Sequence, residues 1–568
     1  MPNRRNMKRN LTLAVACAIL SLCASPLLHA EPTPPRKNAP QTGLSSDFVY
    51  KYLVGEVAGQ RGNPALAANL FLDLAKSSRD PRMAERAAKA ALYGNQPRLA
   101  IQATSLWVEL DPSSVEAQQA ITQMLVAIGQ LSETMPYLQK LLTPEATRAN
   151  GFLYLNSLLE RQDDKNAALK LVQDLAKPYP NLAEAHLTVA HFAWAAGKTD
   201  LATSELATAE KLHPGWEPAA QMQGQILFAQ SPAATVTFYR KFLTQYPKAN
   251  DVRLALARLL VNERRFEEAR AEFVKLVQIA PNNPEIMVVV GLLSFQANDY
   301  TQAENYFQLA LKQGFKDQEQ VYLYLGQVAE KQKHDDQALS WYNKVEQGER
   351  YLDAKLSIAN LTSRTKGIDA AIKMLDELPD LNTEQQVLVL QAEANLLVQV
   401  KKYEEAYNLL DKAMNTLPNT PELVYDHAMA AERLQRLDVM EKELRRLIQI
   451  KPDFAQAYNA LGYSLADHNM RLDEARGLIE KALTLSPNDY FILDSMGWVQ
   501  YRLGKLDKAA DYLRRAYTAQ TDPEIAAHLG EVLWQQGKHD EAVKTWEEAL
   551  REHPGNESLL NITKKFKP

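Results

Sequence analysis

Cysteine is nearly absent from this sequence. There are two among 568 residues, Cys17 and Cys23, and both lie close to the start of the chain. If the chain is cut after Ala30, the remaining protein has no thiol and can form no disulfide, cysteine nucleophile or thiolate metal site. We therefore expect apolar packing alone to hold the fold together.

Long apolar runs are also missing. The most apolar stretch, Leu11 to Cys23, has 13 residues, which is too short to cross a bilayer. It follows the basic residues Lys8 and Arg9, and after it come Pro26, which ends the apolar helix, and a small residue, Ala30. This order is typical of a secretory signal peptide, which we assign to residues 1–30.

The signal offers two cleavage sites, and both stay open. A cut after Ala30 would release a soluble protein, whereas a cut before Cys23 or Cys17 would leave a cysteine that carries a lipid. We favour the cut after Ala30, because the large Leu22 stands immediately before Cys23. The expected location is the periplasm, either soluble or attached to the outer membrane by the lipid.

An excess of positive charge is absent too. Residues 1–30 contain four basic and no acidic side chains, so the rest of the chain has 60 Lys and Arg against 69 Asp and Glu, a net charge of −9. This balance argues against nucleic acid as a partner.

Catalytic and cofactor motifs are not found either. His186 and His191 are five residues apart, which is not the spacing of a helical zinc pair. Gly197-Lys198-Thr199 ends as a phosphate-binding loop does, but Phe192 occupies the place of the required glycine, so we interpret Gly197 as a turn between helices. We predict no catalytic residue, no metal and no cofactor, and a protein that binds other proteins.

A repeat period of 33 to 35 residues dominates what is present. It follows a proline-rich segment, residues 31–46, which predicts a flexible tether. Prolines that close repeat units recur at Pro418, Pro452 and Pro487, and small residues recur at fixed offsets between them. This pattern indicates the tetratricopeptide repeat, or TPR. It predicts an all-α protein whose helix-turn-helix units, about fifteen in residues 47–555, stack into a right-handed superhelical solenoid ending in a cap at 556–568.

Small residues explain how two helices of a unit can pack closely. Gly462 and Ala475 stand at the small-residue positions of the first and second helices of one unit, where we expect the helices to touch. The pattern weakens near residues 113–147, where Pro136 interrupts a helix, and near 350–380. Both places are predicted kinks in the superhelix.

The concave wall of such a solenoid, formed mainly by the first helix of each unit, is the predicted binding surface. In the last four units the expected wall positions carry aromatic residues interleaved with charged ones, which suits an extended peptide. The six candidate protein-binding residues are Tyr425, Tyr463, Phe491, Trp498, Tyr501 and Trp534. The alternative for each ring is that it packs between repeats.

The first repeats carry a more particular signature, from Leu53 to Arg61 and from Ser78 to Ala87. It resembles the LbcA-type outer-membrane TPR lipoproteins of Gram-negative bacteria, which are adaptors of periplasmic carboxyl-terminal processing proteases. The resemblance implies a spiral scaffold that activates such a protease and delivers cell-wall hydrolases to it, with catalysis belonging to the partner. The alternative is a TPR scaffold that organises an envelope polysaccharide or outer-membrane assembly complex.

Overall fold

The computed structural model describes residues 45–346 and 348–566, and the predicted signal peptide lies outside them. These residues form 31 α-helices and one 3₁₀ turn, with no β-strand among them, so the predicted all-α fold class is confirmed. The chain divides into two compact units, residues 1–293 and 294–568.

The helices of the first unit follow one another closely along the chain, and α15 runs across the division. They are α1 Ser46–Gln60, α2 Pro64–Ser78, α3 Pro81–Tyr93, α4 Pro97–Leu110, α5 Val115–Ala127, α6 Met135–Leu142, α7 Glu145–Leu159, α8 Lys165–Ala176, α9 Ala183–Ala195, α10 Thr199–Leu212, α11 Glu217–Gln230, α12 Pro232–Gln245, α13 Asn250–Asn262, α14 Phe266–Ile279 and α15 Pro284–Gln296.

The second unit continues the same alternation. Its helices are α16 Tyr300–Lys312, α17 Gln318–Lys331, α18 Asp335–Tyr342, α19 Tyr351–Lys366, α20 Ile368–Asp376, α21 Thr383–Gln399, α22 Tyr403–Thr416, α23 Pro421–Arg433, α24 Leu437–Ile450, α25 Ala455–Asp467, α26 Leu472–Leu485, α27 Tyr490–Arg502, α28 Leu506–Ala519, α29 Pro523–Gln535, α30 His539–Glu552 and α31 Glu557–Phe566.

Short turns join consecutive helices into antiparallel hairpins. Gly197, Gly504 and Gly537 occupy such turns with φ of 73°, 76° and 79°, a backbone region that favours glycine. The turn role predicted for Gly197 is therefore confirmed, and the Gly-Lys pairs at these places belong to the repeat. Within each unit helices pair in this way, for example α1 with α2 and α25 with α26, and α31 follows the last hairpin.

Close contact between the helices of a hairpin depends on glycine and alanine, as expected. A Cβ atom on Gly462 of α25 would lie 2.6 Å from Ile479 Cγ1 and 2.9 Å from the Ala475 carbonyl oxygen of α26. A Cβ on Gly530 of α29 would overlap the Trp546 ring of α30. Any larger residue at these positions must push the two helices apart.

Within the second unit, neighbouring hairpins share an apolar core. One cluster of buried side chains runs from Val424 in α23 through Leu461 in α25 and Ile479 in α26 to Val499 in α27. The hairpins joined by this cluster thus bury their apolar sides against one another, which is the source of stability in a repeat array.

The two places where the sequence pattern weakens have irregular helices. A 3₁₀ turn, Leu131–Thr134, precedes α6, which has only eight residues and carries Pro136 in its first turn, where a missing N–H breaks no helical hydrogen bond. In the second region α20 has nine residues and begins after Gly367, whose φ is 93°. The superhelical kinks predicted there remain predictions.

The last helix, α31, packs on the final hairpin. Leu559 is fully buried, and Ile562 and Phe566 contact the cluster formed by α29 and α30, while Lys564 stays exposed. In the described part of the chain, none of the helices is long and apolar enough to cross a membrane.

Candidate protein-binding site

All six predicted residues lie on first helices of the last four hairpins, but their exposure differs. Phe491 is 52% exposed, whereas Trp498 is only 7% exposed. Tyr425, Tyr463, Tyr501 and Trp534 are half-buried. Position along the repeat therefore does not by itself decide whether a ring is free to bind.

Three of the six come together around one histidine, which we call the His528 cluster: Tyr463, Trp498, Tyr501 and His528. The His528 ring stacks on Trp498 with centroids 4.3 Å apart, and Tyr501 lies 5.1 Å from Trp498. Tyr463 approaches His528 at 6.3 Å. His528 and Tyr501 thus pack against the Trp498 ring. This matches the alternative that the ring packs between repeats.

Carboxylates fix the orientation of this cluster. His528 Nδ1 lies 2.9 Å from Asp494 Oδ1, and the Trp498 Nε1–H donates to Asp467 Oδ1 at 3.2 Å. Burial of His528 would lower its pKa, but the negative charge of Asp494 and its hydrogen bond overcome this, so the pKa of His528 is raised. The cluster therefore contains a histidine–aspartate pair, with Asp494 buried and His528 half-buried, that joins α27 to α29.

A second polar contact ties the cluster to the end of the chain. The Tyr501 hydroxyl donates to Glu531 Oε1 at 3.3 Å, and Lys565 Nζ lies 3.0 Å from the same oxygen. The Glu531 side chain is buried, so these two donors compensate for its removal from water. A residue of α31 thus completes a contact within the predicted binding wall.

Buried acids continue along α23. Gln391 Nε2 donates to Asp426 Oδ2 at 2.7 Å, and burial raises the pKa values of Asp426 and Glu432. Burial, together with the nearby charges of Asp426 and Glu432, also raises the pKa of Tyr425 to about 12. Arg433 and His468 lie near enough to Glu432 to oppose this rise in its pKa in part.

The structure does not bring the other three predicted residues into the His528 cluster. Tyr425 packs against Phe454, and Phe491 lies beside Tyr490. Trp534 belongs to the end of the chain, where it contacts His539, Trp546 and Phe566. A ligand-binding role for the six residues remains a prediction, and Phe491 offers the most accessible ring among them.

Sequence reasoning missed an apolar face on the first helix. Val49, Tyr50, Leu53 and Val57 of α1 are 40%, 68%, 56% and 44% exposed. Their helical spacing places them within about 100° of one another around the helix axis, so they form one surface, which we call the α1 face. The sequence does show that apolar residues occur on both sides of α1. Only the structure shows which of the two sides is exposed to solvent.

The signature residues hold this helix in place. Gly55 packs so closely on Phe71 of α2 that a Cβ would lie 3.0 Å from the ring. Arg86 of α3 forms an ion pair with Glu56 and lies over the Tyr52 ring, 5.2 Å from its centroid. The inner side of α1 is thus fixed by α2 and α3, and its outer side is presented to solvent.

Across residues 45–346 and 348–566, no group of three or more His, Cys, Asp or Glu side chains is placed to hold a metal ion.

Comparison with known proteins identifies the repeats. The family model for the tetratricopeptide repeat matches residues 236–284, 291–351, 425–490 and 495–557. The TPR repeat-containing protein PA4667 of Pseudomonas aeruginosa is 32% identical over 537 residues, which cover 93% of this chain and 91% of that protein.

More distant relatives share only part of their length with this chain. The cellulose synthase operon protein C of Pseudomonas fluorescens is 23% identical over 52% of this chain and 27% of its own length. A thermophilic TPR protein of Thermus thermophilus, known from its crystal structure, is 24% identical, with a TM-score of 0.30 over 32% of this chain and 98% of its own.

Such repeats mediate contacts between proteins. Because the likeness to PA4667 extends over nearly the whole of both chains, this protein belongs to the tetratricopeptide-repeat family.

Proposed function

We propose that this protein is a non-enzymatic periplasmic adaptor that binds a carboxyl-terminal processing protease and presents protein substrates, such as cell-wall hydrolases, to it. The protease docks on the α1 face, and substrates bind at the wall formed by α23, α25, α27 and α29. The proposal combines the predicted signal peptide with the resemblance of residues 53–87 to protease adaptors.

The exposed apolar α1 face is the observation that carries the proposal. Monomeric soluble proteins rarely leave a contiguous group of large apolar side chains exposed unless the group binds a partner. The α1 face, which includes Leu53 and Val57, lies on the helix where the signature begins. The docking site and the resemblance therefore involve the same residues.

A pull-down with matched variants tests the proposal. The tagged mature protein is used to capture partners from an envelope extract, and bound proteases are identified by mass spectrometry. Leu53→Asp should reduce recovery of the protease about tenfold or more. Leu388→Asp, at a residue that is 46% exposed on α21, serves as the control and should recover it normally. Repeated recovery of no such protease by the unchanged protein would refute the proposal.

A second function is favoured by the likeness to the cellulose synthase operon protein C. In this alternative the protein is a scaffold for an envelope polysaccharide or outer-membrane assembly complex and has no part in proteolysis. A deletion strain separates the two functions. Loss of surface polysaccharide with unchanged levels of cell-wall hydrolases supports the second, whereas accumulation of hydrolases supports the first.

A further inference from the structure

The helix α31 lies at one end of the wall that we propose for substrates. It packs on α29 and α30 in the way that α27 packs on α25 and α26, so it takes the place of a further first helix. Its first residue, Glu557, also reaches the turn between α21 and α22, where Lys401 Nζ lies 3.9 Å from Glu557 Oε1. α31 therefore contacts the hairpin that precedes the wall as well as the last hairpin of the wall.

Two adjacent side chains of α31 occupy sites on α29 and α30. The Phe566 ring lies 5.7 Å from the Trp534 ring and 5.9 Å from the Trp546 ring, measured between centroids. Lys565 Nζ lies 3.0 Å from Glu531 Oε1. The wall thus already holds a cation and an aromatic ring that are neighbours in sequence.

The Glu531 carboxylate explains why a cation is held at this place. Its side chain is 10% exposed, and the Tyr501 hydroxyl donates to Oε1 at 3.3 Å. Among residues 45–346 and 348–566, Lys565 is the only cation within ion-pair distance of this carboxylate. Removal of one partner from a buried ion pair is strongly destabilising, because the other charge is left uncompensated. A segment that replaces α31 must therefore bring a positive charge to Glu531.

α31 is held less firmly than the helices of the wall. Leu559 is the one buried residue among its ten, whereas α29 buries eight of its thirteen. The ion pair between Lys401 and Glu557 is exposed on both sides, and such pairs add little stability. Few buried contacts give a helix a low free energy of local opening, so α31 can leave the wall while the hairpins stay folded.

We propose that α31 is an internal occupant of the wall and that a segment of a partner protein displaces it. The segment carries a lysine or arginine next to an aromatic residue, and it gives the cation to Glu531 and the ring to Trp534 and Trp546. Because α31 competes for the same contacts, segments that lack either feature are excluded. The inference rests on the proposed use of the wall for binding, but not on the identity of the protease.

A phage-displayed library of random dodecapeptides provides the probe. Peptides are selected on the full mature protein carrying Phe566→Ala, which removes the internal ring and keeps Leu559. They should contain a lysine or arginine beside an aromatic residue, and they should bind the unchanged protein about tenfold more weakly, since α31 closes the site there. Lys564→Ala, at an exposed position of α31, is the matched control and should bind them as the unchanged protein does. Equal affinity for the unchanged protein and Phe566→Ala would overturn the proposal, as would selected peptides without such a pair.

Hydrogen exchange measures whether α31 leaves the wall. One selected peptide is added at a saturating concentration to the unchanged protein, and exchange is followed by mass spectrometry. The amides of residues 557–566 should exchange at least tenfold faster, while those of α24, a second helix outside the wall, keep their rates. A helix that serves only as a cover would stay protected when the peptide binds, and that result would contradict displacement.

The role of Glu531 is tested by changing both partners of the ion pair. Replacement of the lysine or arginine of the peptide by glutamine should weaken binding to Phe566→Ala about tenfold. The same replacement should have little effect when Glu531→Gln is also present in the protein, whose folding is checked by thermal unfolding. Equal losses in both proteins would refute the contact with Glu531. A pull-down that recovers no protease would refute the adaptor function and leave these peptide results standing, so the two failures are distinguishable.

Discussion

Trp498 shows how much a single residue depends on the neighbouring repeat. Its position in α27 is that of a concave-wall residue, yet the ring is 7% exposed because His528 of the next hairpin stacks on it. The repeat offsets predict the helix and the side on which Trp498 lies. They do not predict its burial, because that depends on which side chain the following unit places opposite it.

Alanine substitution separates packed rings from accessible ones. We expect Trp498→Ala to destabilise the protein by about 3–5 kcal/mol, as for other buried tryptophans. Phe491→Ala, at an exposed ring on the same helix, should change stability by less than about 0.5 kcal/mol. Thermal unfolding of both variants is the measurement, and equal melting temperatures would contradict the packing of Trp498 between His528 and Tyr501.

Gly462 makes a sharper test of helix contact. A Cβ at this position would lie 2.6 Å from Ile479 Cγ1, so Gly462→Ala should cost about 1–3 kcal/mol through overpacking. Gly477, in α26 of the same hairpin, has no atom within 4 Å of an added Cβ. Gly477→Ala should therefore stabilise the protein by about 0.4–1 kcal/mol. The free energy of unfolding of both variants is measured with urea. If Gly477→Ala is also destabilised, the cost of Gly462→Ala cannot be assigned to the contact with Ile479.

The Asp494–His528 pair predicts a pH dependence. The pKa of His528 is raised in the folded protein, so the pair stabilises the fold fully below the unfolded histidine pKa of about 6.5. This contribution is lost as the pH rises through the folded pKa. Melting temperatures are measured from about pH 5.5 to 9, spanning that value, for the unchanged protein and for His528→Gln. The melting temperature of the unchanged protein should exceed that of His528→Gln most at the acidic end, and this excess should shrink at higher pH. An excess that grows with pH would contradict a stabilising Asp494–His528 ion pair.

At the scale of elements, the ends of the array differ from its middle. In a repeat array an inner hairpin is covered on both sides by its neighbours, whereas a terminal helix must be covered in another way or remain exposed. The final hairpin is covered by α31, through Leu559 and Phe566, while the outer side of α1 carries the exposed α1 face. The sequence predicts a helical unit at α1 and an end cap at residues 556–568, but which side of each element is covered follows only from what packs against it.

Removal of α31 tests its role as a cover. A chain that ends at Gly555 loses Phe566, whose ring lies 5.9 Å from Trp546 and 5.7 Å from Trp534. We expect a lower melting temperature and a red shift of tryptophan fluorescence, because both indole rings gain contact with water. Lys564→Ala, an exposed position on the same helix, should leave both properties unchanged. An unshifted spectrum after truncation would contradict the packing of α31.

At the scale of the whole molecule, the repeat period explains why the fold could be predicted. Each repeat contacts mainly its neighbours, so regular offsets such as Gly462 and Ala475 determine most of the contacts. The features that escaped prediction lie where the period begins and ends. The ion pair of Lys565 with Glu531 involves α31, after the last hairpin, and the α1 face is on the first helix.

The location that we predict for the whole protein depends on where the predicted signal peptide is cut, and we expect a mature chain that begins at Glu31. A cut after Ala30 keeps the full apolar run from Leu11 to Cys23 and places a small residue at the cleavage site. A lipid-directed cut before Cys23 would follow the large Leu22, and a cut before Cys17 would shorten the apolar run to six residues. Intact mass spectrometry of the protein purified from envelope fractions distinguishes these products. A polypeptide mass starting at Glu31 would agree with our prediction of a chain without a lipid anchor, whereas a diacylglyceryl group on Cys23 or Cys17 would contradict it and tether the protein to a membrane.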